Sequence, residues 1–146
     1  MARPDLDALL NVALPFAQEM LTKCGEFYPF GATMKSDGKI DQTAAYNGEE
    51  HPESQELIDL LLGAYRTLAA KGEVRATALC FDSRTIPPGQ NEKSDAVCVR
   101  LEHADGEAID VFVPYQKDNK GELTWGNLFA TRGPGSVFTP PLGGAG

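Results

Sequence analysis

The chain has 146 residues, 42% hydrophobic and 23% charged, with 13 basic and 21 acidic side chains and a formal net charge of −8. That length suits a single domain able to bury about two thirds of its extended-chain surface, and the composition is that of an ordinary globular protein. The acidic balance argues against nucleic acid or an anionic membrane as partner, since both require a basic surface.

The first element is a helix. Leu6, Leu9, Leu10, Ala13, Leu14, Ala17, Met20 and Leu21 recur at three- and four-residue intervals and form one apolar stripe. Asp5, after Pro4, is the expected N-cap, Gly25 the expected stop, and Pro15 a kink or break. An aromatic stretch follows, with Phe27, Tyr28, Pro29 and Phe30 in succession. Strand alternation sends Tyr28 and Phe30 to the core side and Phe27 and Pro29 to the other. A proline cannot donate to a ladder, so the stretch reads as an edge strand with an open edge.

A hairpin comes next. A three-residue turn at Ser36-Asp37-Gly38 sets Met34 against Ile40, Phe30 against Ala44 and Tyr28 against Tyr46, all apolar to apolar. A second helix is expected over 56–71, with Ser54 as N-cap, Gly72 as stop and a stripe of Leu57, Leu61, Ala64, Tyr65 and Leu68. Leu60 and Leu62 widen its apolar arc.

Three strands follow. The first covers 74–82, with a polar loop at 83–94 behind it. The second, 95–103, turns through Ala104-Asp105-Gly106 into the third, 108–115. The same turn rule pairs Leu101 with Ile109, Val99 with Val111 and Val97 with Val113. On the other side it sets Arg100 against Asp110. Pairing Asp82 with Asp95 would complete the sheet, and a five-residue turn at 117–121 would set Tyr115 against Leu123 and Val113 against Trp125. From 132 onward, glycine and proline dominate, so a domain of 1–131 is expected to carry a flexible tail of 132–146.

The expected fold is therefore α+β, an antiparallel sheet of about five strands with two main helices in the order α-β-β-α-β-β-β. This plan resembles that of profilin-like folds, including the roadblock and longin type and the PAS/GAF sensors. The resemblance is one of element order over most of the chain, with no motif behind it, and fold analogy does not transfer function.

Chemistry is sparse. His51 and His103 are the only histidines; His103 closes a hairpin opposite Glu107 and away from any obvious pocket. Cys24, Cys80 and Cys98 are an odd set with no CxxC, which fits reduced thiols in a cytoplasm. No spacing suits a metal, no glycine loop suits a phosphate, and no cofactor is implied. No apolar run matches a bilayer, and Asp5 and Asp7 beside Arg3 do not suit a signal peptide. The terminal "PLGGAG" resembles the end of ubiquitin-like carriers, although the element order does not.

Two places remain. The reverse face of the sheet gathers Leu79, Phe81, Cys98 and Phe112 within a charged rim, the pattern of an interface. The 83–94 loop offers Arg84, Gln90, Asn91 and Lys93. With Phe27 and the open edge, these are the interface candidates of a non-catalytic module that binds a protein partner or a second copy. That profile is similar to immunity, antitoxin-type and secretion-chaperone proteins. The alternative is a small-molecule sensor with a pocket lined by Tyr28, Phe30, Tyr46, Tyr65 and Trp125. A small enzyme using Cys98 or His103 with nearby carboxylates is a third reading.

Overall fold

The computed structural model describes residues 2–45, 48–50 and 52–138. In chain order the elements are α1 (Ala2–Cys24), β1 (Phe30–Lys35), β2 (Ile40–Ala44), α2 (Ser54–Ala70), β3 (Val74–Thr85), β4 (Ser94–His103), β5 (Ala108–Lys117), β6 (Leu123–Trp125) and β7 (Phe129–Arg132). Among the described residues the class is α+β, two helices on one antiparallel sheet, with seven strands in place of about five. The sheet runs β2-β1-β3-β4-β5, and β6 and β7 lie in succession along the outer side of β5.

One turn type builds three hairpins. Lys35 N–H bonds Lys39 O, His103 N–H bonds Glu107 O and Asp118 N–H bonds Glu122 O, each pair closing a three-residue loop. Gly38, Gly106 and Gly121 hold the third loop position at φ +94°, +102° and +81°, where a side chain would be strained. The first two hairpins have the expected register, including Met34 with Ile40 and Arg100 with Asp110. In the third, the loop is 119–121, so Tyr115 pairs with Trp125 and not with Leu123. Asp82 likewise pairs with Val97, and Asp95 with Arg84, because β3 runs on to Thr85. Both corrections shift the register by two residues, which leaves every side chain on its expected face.

The helices take opposite faces. α1 remains one helix through Pro15, and Leu6, Leu9, Ala13, Ala17 and Leu21 form its buried stripe. They meet Phe30, Ala32, Ala76, Ala78, Val97, Val99 and Val111 in the main core. Asp5 does not cap α1, which already begins at Ala2. α2 lies on the reverse face through Leu57, Leu61 and Tyr65, while Leu60 is exposed. Its N-cap is Glu53, not Ser54, which is the first helical residue.

The aromatic stretch departs from alternation. Residues 26–29 are not extended strand, so Phe27, Pro29 and Phe30 are all buried while Tyr28 is 42% exposed. Phe16 and Phe27 each meet the Phe30 ring edge to face, at 4.9 and 5.9 Å between centroids. Nor is β1 an edge: it pairs with β2 on one side and β3 on the other. The edges of the sheet are β2 and the β6–β7 line. Between β6 and β7, residues 126–128 stand opposite only 113–114, a bulge in that line.

The chain beyond 131 is also packed. Thr131 and Arg132 belong to β7, Gly133 N–H bonds Ala108 O, and Val137 is buried, so the ordered domain continues past the expected boundary.

Candidate functional site

Alternation places residues 77, 79 and 81 of β3, 98, 100 and 102 of β4, and 110 and 112 of β5 on the reverse face. α2 covers the β1–β3 side of it, with Leu61, Tyr65 and Leu79 in one cluster. The seat of α2 is a glycine. A Cβ on Gly31 would overlap the Tyr65 hydroxyl and the Ala78 carbonyl oxygen. Burial lifts the Tyr65 phenol to about 12, and the hydroxyl donates to Ala78 O at 3.2 Å and shares a hydrogen bond with Thr43 Oγ1.

The C-terminal segment crosses beside α2. Glu102 is only 3% exposed, and its carboxylate accepts Ser136 N–H at 2.7 Å and Val137 N–H at 2.8 Å. Arg66 of α2 donates to Ser136 O at 2.8 Å, and Val137 joins the Leu61–Tyr65–Leu79 cluster. Residues 133–138 thus form a strap whose main anchor is a buried carboxylate.

Beyond the strap and α2 lies a straight row across four strands. Phe81 pairs with Cys98, Cys98 with Phe112, and Phe112 with Phe129. Phe112 and Phe129 are stacked at 5.2 Å, and the Arg100 guanidinium lies 5.3 Å from the Phe81 ring centre. Arg100 also forks onto Asp110, at 3.1 and 3.5 Å. The three rings are half-buried, while Cys98 between them is buried.

The structure therefore brings Phe81, Cys98 and Phe112 together, while Leu79 is buried beneath α2 in a cluster against which Phe81 also packs. Phe27 is buried on the other face, beside Phe30. Arg84 is a β3 residue facing Asp95 at 3.5 Å. Gln90 and Asn91 are exposed in the shortened loop, 86–93, where Gln90 N–H bonds Pro87 O. Phe129 carries no signal in the sequence, because its strand is only four residues long, too short to show a period.

The sensor candidates do not share a cavity. Tyr28 is exposed, Phe30 and Trp125 belong to the α1 side, Tyr65 sits beneath α2, and Tyr46 lies outside the described residues. A cavity of about 770 Å³ opens instead at the sheet end, among Arg3, Glu102, His103, Glu107, Arg132 and Phe138. A second, of about 540 Å³, lies between Leu68 of α2 and the β1–β2 hairpin.

His103 thus lines the larger cavity rather than standing apart from one. Its Nδ1 accepts Asp105 N–H at 3.1 Å, which leaves Nε2 to donate to Asp5 Oδ2 at 2.9 Å. Arg75 forks onto the same carboxylate at 3.1 Å twice. The hydrogen bond from His103, then the Arg75 contacts, hold the Asp5 carboxyl below its ordinary value against some desolvation. Both ring nitrogens are engaged, so His103 is not poised to activate a thiol. Burial pushes Cys98 up to about 12 and Cys80 well above the ordinary thiol value, which keeps both protonated at neutral pH. His51 lies outside the described residues.

No family model, curated protein or solved structure matches the chain. The likeness to profilin-like and PAS/GAF plans rests on element order alone. Among the described residues no helix is long and apolar enough to cross a membrane.

Proposed function

We propose that this chain is a small, non-catalytic, cytoplasmic protein-binding module of the immunity-protein or chaperone type. Its partner docks on the open half of the reverse face. The observation that carries this reading is the Phe81–Cys98–Phe112–Phe129 row, half-buried and set beside α2 and the strap. Half-buried phenyl rings next to a paired arginine are the composition of an interface centre, where aromatic residues and arginine carry most of the energy. The net charge of −8 favours a partner with a basic surface, and a second copy is the other candidate.

The test begins with capture of the partner and continues with the purified pair, measured by calorimetry. Phe129→Ala is expected to weaken binding by about thirtyfold, the scale of an interface hot spot. Leu60→Ala, on the exposed face of α2, should leave it unchanged. Equal affinity for wild type and Phe129→Ala, with both folded, would show that the row is not the docking surface.

A further inference from the structure

The cavity at the sheet end has a volume of about 770 Å³, within the usual range of small-molecule sites, about 300–1,000 Å³. Two of its polar groups are already satisfied: Glu102 by strap amides and His103 by Asp5 and Asp105. Two are less well met. Glu107, whose side chain is 37% exposed, has only a long ion pair with Arg3 Nη2, at 3.7 Å, and its Oε2 accepts no hydrogen bond. Arg132 is exposed and has no ion pair among the described residues.

Arg132 pairs with Ile109, and Glu107 stands two residues before Ile109 in the chain. Glu107 and Arg132 are therefore diagonal neighbours, with Cα atoms about 7–8 Å apart. Ile109, Ala130, Pro134 and Phe138 supply apolar wall around them. The cavity thus offers one partly exposed carboxylate, held only by a long ion pair to Arg3, and one cation with no ion pair among the described residues, on neighbouring strands. A simple anion would meet Glu107, and a simple cation would meet Arg3 and Arg132.

We propose that this cavity binds an amphoteric molecule carrying an ammonium and a carboxylate on an apolar body, the size of a short peptide. The ammonium donates to Glu107 and the carboxylate accepts from Arg132, while the apolar body lies on Ile109 and Phe138. A free α-amino acid has the same two charges but holds them on one carbon. Each further residue separates them by up to about 3.5 Å, which favours the peptide for groups on neighbouring strands.

The probes are the tripeptide alanyl-leucyl-alanine, its N-acetylated form, its C-terminal amide, and free leucine, titrated by calorimetry into the full chain. The free tripeptide is expected to bind, and either block to weaken it by at least about tenfold, the loss of one charge-assisted hydrogen bond. In Glu107→Gln the N-acetylated and free peptides should bind alike; in Arg132→Gln the amide and free peptides should. Leucine binding as well as the tripeptide, with the same dependence on both residues, would support the charge match and identify the occupant as an amino acid. The proposal is overturned if no probe binds up to about 10 mM, or if the blocked peptides bind wild type as tightly as the free one. Thermal melts confirm that both variants are folded.

Discussion

Glu102→Gln tests the strap directly. In the native chain the carboxylate accepts two short amide hydrogen bonds, from Ser136 and Val137 at 2.7 and 2.8 Å, and a longer contact of 3.1 Å to Oε2. Each charge-assisted bond is worth about 1.5–3 kcal/mol and a neutral one about 1 kcal/mol. Glutamine keeps one acceptor oxygen and turns an amino group toward the Val137 amide. Removing a charge from a site only 3% exposed offsets part of the loss, so the net cost should be about 2 kcal/mol. That cost falls on the strap before it falls on the sheet. Amide hydrogen exchange at Ser136 and Val137 should therefore accelerate about thirtyfold, while the β4 amides keep their protection. If the two strap amides exchange at the wild-type rate, the carboxylate is not their anchor.

Gly31→Ala should be among the most damaging single changes, because the added methyl meets a ladder carbonyl that cannot retreat as well as the Tyr65 hydroxyl. A loss of about 3 kcal/mol is expected, near 10 °C in melting temperature, with Tyr65→Phe restoring only part of it. Urea denaturation of Gly31→Ala, Tyr65→Phe and the double variant would read this, and a near-neutral Gly31→Ala would mean that α2 is not seated there. For Asp5, a carboxyl held below 3.8 stabilises the fold above that pH and loses its contribution as pH falls through the lowered value. Asp5→Asn should therefore be less stable than wild type at pH 7 and show a shallower loss as pH falls below about 4. Parallel urea titrations of the two proteins would contradict this.

Parity explains what the sequence could show. The two-residue register errors at Asp82 and Tyr115 did not move a side chain across the sheet, so Phe81, Cys98 and Phe112 were correctly gathered on one face. The glycine at the third loop position gave two hairpins their register and applied equally at Gly121. Alternation failed only where the chain was not a strand: residues 27–29 bury Phe27 and Pro29 and expose Tyr28. Which helix covers which face was not legible, since an apolar stripe specifies burial but not its target. The same holds for Leu79, which a single tyrosine and its glycine seat draw beneath α2. Long-range partners left no local trace. Nothing near Glu102 announces the amides 34 and 35 residues away, and nothing near His103 announces Asp5.

The sheet has two unlike ends. Its β6–β7 edge is broken by the bulge at 126–128, where Gly126 N–H turns back to Pro114 O, so it is a poor template for a further strand. β2 is an unbroken run of five residues, and its Asp41 pairs with Lys35 of β1 at 3.3 Å. If two copies joined through β2, the joined sheet would present a broken edge at each extremity, with no site left for a third. Such growth would be self-limiting, ending at a closed pair rather than a fibre. Sedimentation that found species larger than two chains would contradict it.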